Sequence, residues 1–184
     1  MRRYLFLASL VLSACSPDAS EPVAKQKEQA LQPSNSVSRT FTDPHQRWRL
    51  VLPKQAVVRT TRFDPSTPVH KVKERLEILS DDRLVLRIDI WTNPEDLSPL
   101  GWIDTHATYL RNQEITLQQS YIGPENRLVV LADQPRSCQS SHIITAFLSV
   151  GKSMVSMTCV DGDDPSQRTI FENALVSFAA GEQP

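Results

Sequence analysis

Two apolar runs close to the end of the chain constrain its fold most strongly. Residues 143–150 and 153–160 are separated by Gly151-Lys152, a two-residue connection of the kind that closes a β-hairpin. With these residues in the turn, the pairs beyond Val150 and Ser153 are all apolar: Leu148 with Val155, Ala146 with Met157, and Ile144 with Cys159. A shift of one residue would move all of them to the other face, so the pattern predicts one register, with Cys159 on the buried face.

A second hairpin is predicted earlier in the chain. Apolar side chains alternate with charged ones over 72–78 and 84–90, and Ser80-Asp81-Asp82-Arg83 supplies the turn. Two adjacent strands with one apolar face each predict an antiparallel sheet packed on one side. Arg87, Asp89 and Trp91 lie on the charged face. We consider these three a possible interface, with Trp91 as its anchor, or else Trp91 is covered by the helix that follows it.

Two segments have the pattern of helices. Asn93-Pro94 and Ser98-Pro99 are both capable helix starts, and apolar residues at helical spacing continue to about Arg111. Asp164, Pro165 and Gln167 predict a capping box for a last helix that Gly181 ends. Because strands, a helix, strands and a helix follow one another, we expect one α+β domain over 41–180. Its helices would cover the surface of an antiparallel sheet.

This order of elements resembles the PsbP-like fold. The resemblance covers about 41–178 and rests on the hairpin over 72–91, the helix within 93–111, the strands over 128–160 and the helix over 171–178. It implies a central antiparallel sheet flanked by helices, an α/β/α sandwich that also occurs in a eukaryotic Ran-release factor. Members of that family mostly act as accessory or interaction proteins without catalysis of their own. The resemblance transfers no binding residue, because no diagnostic site motif matches.

The first fourteen residues have the order of a secretory signal. Arg2 and Arg3 precede an apolar run over 4–12, which is too short for a permanent transmembrane helix. Leu12-Ser13-Ala14-Cys15 resembles the lipobox of bacterial lipoproteins. That resemblance implies cleavage between Ala14 and Cys15 and acylation of Cys15, so that membrane lipid holds the chain in the bacterial envelope. The alternative is an ordinary secretory signal with a chance cysteine.

The segment after Cys15 has the composition of a tether. Residues 16–40 are rich in Ser, Pro, Gln and Lys and have almost no large apolar side chains, so we expect a disordered linker over 15–40. Within the lipoprotein family the residue after the lipidated cysteine influences sorting. Ser16 at that position favours the outer membrane, with the domain in the periplasm.

Charge excludes two classes of partner. The chain has 20 basic and 21 acidic residues, and loss of Arg2 and Arg3 with the signal would leave 18 against 21. A chain of this balance lacks the electrostatic footprint of a nucleic-acid-binding protein. It also lacks a basic surface for anionic lipid. We therefore expect no nucleic-acid partner, and membrane association through acyl chains alone.

The three cysteines fit this interpretation. If Cys15 carries lipid, Cys138 and Cys159 remain as a pair, and an oxidising envelope favours a disulfide between them. Cys138 lies six residues before Ile144, the predicted neighbour of Cys159. An extended path would separate them by roughly 20 Å, so the bridge requires the loop to fold back. Two separate thiols are the alternative.

Motifs for catalysis or cofactor binding are missing from the sequence. The four histidines lack metal-ligand spacing, and neither a nucleophile elbow nor a phosphate-binding glycine loop is present. Asp161-Gly162-Asp163-Asp164 lacks the spacing of a calcium loop, which favours a turn that caps the last helix. We therefore expect no catalytic residue, metal or cofactor.

Three functions remain open. The first is a lipid-anchored, non-catalytic interaction or accessory module that binds an envelope protein still to be identified. The second is a small-ligand carrier with a pocket between sheet and helix. The third and most remote is a hydrolase in which His142 pairs with Asp161 or Asp163.

Overall fold

The structure, a computed structural model, describes residues 38–43, 46, 48–64, 71–123, 126–138 and 140–180. The strands in these ranges are β1 (Ser38–Thr42), β2 (Trp48–Pro53), β3 (Val57–Arg62), β4 (Glu74–Ser80), β5 (Arg83–Thr92), β6 (Thr116–Ile122), β7 (Arg127–Gln134), β8 (Ile143–Val150), β9 (Ser153–Cys159) and β10 (Ala179–Ala180). The helices are α1 (Pro99–His106), which a 3-10 turn (Thr108–Arg111) follows, and α2 (Pro165–Ser177).

The strands form two antiparallel sheets. The larger has the order β3-β4-β5-β9-β8-β7-β6, and the smaller has the order β1-β2-β10. The predicted α+β class is confirmed by this large antiparallel sheet and two helices. Strand β1 begins at Ser38, three residues before the predicted domain start, because residues 38–42 pair with β2 along their whole length.

The hairpin register read from the sequence is confirmed. Ile144 pairs with Cys159, Ala146 with Met157, and Leu148 with Val155. Cys159 is fully buried, as the pattern predicted. The earlier hairpin also forms, with Arg83 opposite Ser80 at its closed end.

Helix α2 packs on β2, β5 and β9. Its buried residues are Phe171, Ala174 and Leu175. They join one hydrophobic cluster with side chains from the large sheet, among them Ala146 and Leu148 of β8. Trp48 of the small sheet belongs to the same cluster and stacks on Phe178, with ring centroids 5.8 Å apart. The small sheet is thus held through its middle strand.

Helix α1 takes part in a second cluster. Trp102 and Ile103 pack with Phe147 of β8 and Met154 of β9. Successive side chains of a strand point to opposite faces, so Phe147 faces away from Ala146 and Leu148. Leu117 of β6 and Leu97 extend this cluster along the sheet.

Helix α1 begins at the second of its two predicted starts, Ser98-Pro99, and α2 begins at its predicted cap, Asp164. Ser98 Oγ accepts a hydrogen bond from Gly101 N, and Pro99 opens α1. Asp164 accepts from the backbone N–H of Ser166 and Gln167, and Pro165 opens α2. The Gln167 side chain donates to the Asp164 side chain at 3.3 Å, whereas a full capping box would use the Asp164 backbone. Helix α1 is shorter than predicted and ends at His106.

The lipobox, Cys15 and most of the predicted tether lie outside the described residues, as do His45 and His70. Within the described ranges, neither helix has the length and the apolar character needed to cross a bilayer.

Candidate functional site

A cleft of about 100 Å³ lies where α1 and the following turn meet strands β5, β8 and β9. The strand pairing builds its floor in two rows. Arg87 of β5 lies opposite Thr158 of β9, and Thr158 lies opposite Thr145 of β8. Asp89, Ser156 and Phe147 form the next row in the same way. Antiparallel pairing therefore places residues from distant parts of the sequence side by side.

The Asp89 side chain, on the charged side of this cleft, is held in place by Arg75. Its side chain is only 6% exposed, and Arg75 binds it through two hydrogen bonds, Nε to Oδ1 at 2.6 Å and Nη2 to Oδ2 at 3.1 Å. The hydrogen bond to Asp89 raises the pKa of Arg75 further above its usual value. A bidentate pair of this kind holds both side chains in one orientation.

Aromatic side chains form the opposite wall. Trp102 of α1 is buried and lies 6.2 Å from Trp91 and 4.2 Å from the His106 ring, measured between ring centroids. Trp91 Nε1 donates a hydrogen bond to Ser156 Oγ at 3.3 Å. Tyr109 lines the rim and is 72% exposed. The wall therefore combines a rigid inner part with an exposed outer part.

The three residues proposed as an interface all line this cleft. Trp91, Arg87 and Asp89 project from the same face of β5, as the alternation predicted. Of the two alternatives for Trp91, the structure shows an intermediate: the ring is half-buried and packs against Trp102 of the following helix. Their role as an interface stays a prediction.

A separate polar cluster surrounds His142 at the base of the loop before β8. Both ring nitrogens contact carboxylates at 2.8 Å, Nδ1 with Asp163 and Nε2 with Asp133. Arg136 Nε donates to the second oxygen of Asp163 at 2.8 Å. The hydrogen bond to Asp133 contributes most to raising the pKa of His142, and the hydrogen bond to Asp163 contributes next. The hydrogen bond to His142 lowers the pKa of Asp163. The cluster ties β7, β8 and the segment before α2 together.

This arrangement bears on the hydrolase hypothesis. The structure brings His142 to Asp163, one of the two partners considered, whereas Asp161 lies near Arg136 at 3.6 Å. A general base needs a ring nitrogen that can accept a proton from a nucleophile. Carboxylates occupy both nitrogens here, so the geometry is that of a charged structural contact. Within the described ranges, no group of His, Cys, Asp and Glu side chains is arranged to hold a metal ion.

The disulfide favoured by the sequence is not formed in the structure. Cys138 and Cys159 are two thiols, the first exposed and the second buried. Cys159 Sγ points toward Asp161 O at 3.5 Å, inside the domain, and burial raises the pKa of this thiol to about 11. In this structure the two residues therefore correspond to the alternative of separate thiols.

The 161–164 segment caps the last helix, as predicted, and also contacts His142. Asp164 caps α2, as predicted. Asp163 forms a hydrogen bond with His142. The sequence pattern did not predict this structural contact. Gly162 lies between them and its N–H donates to the His142 carbonyl at 2.7 Å. A Cβ at position 162 would lie 3.1 Å from the His142 ring, which explains why the smallest residue is found there.

The His142 cluster predicts a pH-dependent contribution to stability. A raised pKa means that this contribution is fully present below the unfolded value of 6.5 and is lost as the pH rises through the folded pKa. The lowered pKa of Asp163 means that its contribution is lost as the pH falls below about 3.8. We expect His142→Leu to cost about 1–2 kcal/mol near pH 5.5, and less above the folded pKa.

Urea unfolding of wild type and His142→Leu between pH 5 and 9 measures this difference. Arg111→Met is the control, because it removes an exposed Arg111–Asp104 ion pair that includes no residue of the His142 cluster. Its profile should run parallel to that of the wild type. Parallel profiles for His142→Leu as well would show that the histidine contributes no proton-linked stability.

The domain resembles known proteins in fold but not in sequence. No protein-family model matches the chain, and no curated protein matches it. Among solved structures, cyanobacterial PsbP (CyanoP) from Synechocystis superimposes over 80% of this chain and 95% of its own, with a TM-score of 0.51 and 9% sequence identity. The fold is PsbP-like. At this identity, the likeness of the PsbP-like domain shows the fold alone.

A second structure is less similar. The PsbP-like domain superimposes on protein PA94 from Pseudomonas aeruginosa over 80% of this chain and 98% of the other, with a TM-score of 0.41 and 12% identity. That protein is described as being of unknown function.

Sequence reasoning missed most of the cleft of the PsbP-like domain. It did not identify Trp102, His106 or Phe147 as neighbours of Trp91. One signal was present in the predicted hairpin: Thr145, Ser156 and Thr158 are polar positions among apolar ones, and the two on β9 are buried. Because buried hydroxyls need hydrogen-bond partners, these positions indicate where this face of the sheet changes from apolar to polar.

Proposed function

We propose that this protein is a lipid-anchored, non-catalytic module of the bacterial envelope that binds another envelope protein through the cleft beside α1. The observation that carries the proposal is the convergence of Trp91, Arg87 and Asp89 at this cleft. Hydrogen bonds or ring contacts hold each of the inner side chains, Trp91, Asp89 and Trp102. Such rigid aromatic and charged groups lose little conformational entropy on binding.

The arrangement of layers supports the same proposal. We take the domain as an α/β/α sandwich of the PsbP type, with α1 covering β7 and β8. On the same face of β3, β4 and β5, the charged side chains Arg59, Arg75, Glu77 and Arg87 are exposed or partly exposed. The cleft lies at the border between the covered and open parts. A partner that contacts this border would meet an apolar wall and a charged surface together.

The alternatives have less support. A carrier of ordinary ligands needs a pocket of about 300–1,000 Å³, well above the volume of this cleft. A hydrolase built on His142 would need a free ring nitrogen, and both nitrogens contact carboxylates. A protein partner that inserts one small group fits the observed size.

The proposed anchor is Cys15, after removal of residues 1–14, with the segment up to about residue 37 as the tether. Two or more acyl chains provide stable anchoring, because each buried methylene contributes about 0.8 kcal/mol. We propose the outer membrane as the site of anchoring, on the basis of Ser16.

Replacing Cys15 with serine tests the anchor. We expect the domain to fold and to move from the membrane pellet to the soluble fraction, because the substitution removes the thiol proposed to carry the acyl chains and changes no residue of the described domain. Carbonate extraction followed by immunoblotting measures the distribution. Recovery of the variant in the carbonate-resistant pellet would contradict the anchor.

A photoreactive amino acid at position 109 tests the binding role. The side chain there is exposed at the rim of the cleft, so irradiation of cells should link it to a recurrent envelope protein. The matched control is position 121, where an exposed tyrosine lies on β6, away from the cleft lining. We expect Trp91→Ala to reduce the cross-link at position 109 by about tenfold, the loss typical of one interface anchor.

Thermal melting of Trp91→Ala separates loss of binding from loss of fold. Tyr109→Ala is the second variant, with the photoreactive group moved to position 108, the exposed neighbouring residue in the same turn, because truncating an exposed side chain leaves the core intact. Equal cross-linking from positions 109 and 121, unchanged by Trp91→Ala, would show that the cleft is not the binding surface.

A further inference from the structure

We infer that the cleft receives a carboxylate group, supplied by an acidic side chain of the partner protein, with the Arg87 guanidinium as its principal contact. This inference rests on the proposed function, because it specifies what is recognised at the same cleft. Three independent features of the site support it: the state of Arg87, the balance of charge around it, and the size and lining of the cleft.

Arg87 is not held as Arg75 is. Arg75 occupies both oxygens of Asp89, whereas Arg87 approaches the same carboxylate only through Nε, at 3.4 Å from Oδ2. The geometry is too poor for a hydrogen bond, and among the described residues this buried Nε has no hydrogen-bond partner. The Arg87 side chain is 40% exposed. Because Nε is buried, the donors available to a ligand that enters the cleft are the two terminal amino groups of the guanidinium.

The charges around the cleft are not balanced. On this face of the sheet, Glu77 lies between Arg59 on one neighbouring strand and Arg87 on the other. Asp89 and Arg75 face each other in the next row. Three arginines thus stand against two carboxylates on the sheet face beside the cleft, and the ion pair found for Arg87 among the described residues is the one with Asp89 at 3.4 Å. This local positive excess, on a chain of net charge −1, complements an acidic group.

The size of the cleft matches the end of an acidic side chain. About 100 Å³ is the space of roughly three water molecules, enough for a carboxylate and its methylene group. Thr145 and Thr158 share one hydrogen bond between their hydroxyls at 3.2 Å, which leaves one O–H able to donate elsewhere. The methylene would lie against Trp91 and Trp102. A guanidinium beside a hydroxyl donor is suited to a carboxylate.

The test is a peptide selection on the purified full-length chain in detergent. Heptapeptides of random sequence are displayed, and the tightest binder is synthesised with its acidic residue and again with the matching amide. We expect Asp or Glu to be enriched at one position, and the acidic peptide to bind about tenfold tighter than its amide twin, as for a charge-assisted hydrogen bond. Tryptophan fluorescence reports binding, because Trp91 and Trp102 line the cleft.

Variants locate the contact. Arg87→Met keeps the aliphatic stem and leaves the Arg75–Asp89 pair intact, so the domain should fold while the tenfold difference disappears. Arg49→Met, a substitution of an exposed arginine on β2, should retain the full difference. Arg87→Lys should retain part of it, because the charge remains but the planar fork is lost.

Two outcomes would overturn the inference. One is a selection without an acidic position, or an amide twin that binds as tightly as the acidic peptide. The other is a tenfold difference that persists in Arg87→Met. If both twins bind equally and Trp91→Ala weakens both, the cleft binds peptides and the proposed function stands without the carboxylate. Loss of the cross-link at position 109 tests the proposed function separately.

Discussion

Replacing Trp102 with alanine is expected to lower the free energy of unfolding by about 3–5 kcal/mol. The side chain is only 2% exposed and is the largest in the cluster between α1 and the sheet. Its loss leaves a cavity beside Phe147 and Met154 that neighbouring backbone cannot fill, because both strands are fixed by pairing on each side. Urea unfolding followed by circular dichroism measures the change.

Tyr109→Ala is the control for this substitution. It removes another aromatic ring from the same cleft, but one that is 72% exposed, so stability should change by no more than about 0.5 kcal/mol. Comparing the two losses of stability distinguishes the contribution of a buried, packed ring from that of an exposed ring in the same cleft. If Trp102→Ala cost less than about 1 kcal/mol, α1 would not be packed on the sheet as described.

Replacing Asp89 with leucine is expected to cost about 2–3 kcal/mol. The carboxylate is buried and balances the guanidinium of Arg75, so its removal leaves a partly buried cation without its hydrogen-bonded carboxylate. The cost lies below that of a fully buried pair because the Arg75 side chain is 32% exposed and water can reach it. Equilibrium unfolding in urea at pH 7 measures the change.

The double variant Arg75→Met/Asp89→Leu provides the control. Replacing a charged pair with apolar side chains of similar volume removes the unpaired cation, so at least half of the lost stability should return. The difference between the double variant and the sum of the single ones gives the coupling energy of the pair. Simple additivity of the two single substitutions would show that the pair does not act as a unit.

The sequence predicted those parts of the fold that depend on neighbours along the chain. The register from Ile143 to Cys159 follows from a two-residue turn and a period of two, both local properties. Asp164 and Ser98 were recognised as caps because capping uses backbone groups two or three residues away. These interactions require no knowledge of tertiary structure.

The candidate site was only partly predictable for the opposite reason. Alternation placed Arg87, Asp89 and Trp91 on one face, but their partners come from β4, β8, β9 and α1. Strand order cannot be read from periodicity, so the placement of Ser156 beside Asp89 was out of reach. The loop that carries Cys138 has contacts such as the hydrogen bond from Ser137 N to Ser140 O, which the sequence pattern does not specify. The predicted disulfide is not formed in this structure.

The small sheet joins the beginning of the domain to its end. β2 pairs on one side with β1 and on the other with β10, and Trp48 is covered by Phe178. A chain that emerges in order from its N-terminus therefore exposes Trp48 and Leu50 until residue 180 has been released. The small sheet can therefore close only after the last strand of the domain has been made, because its contacts join residues at opposite ends of the domain. Until then, the edge of β2 that later pairs with β10 has free backbone groups that can pair with another chain.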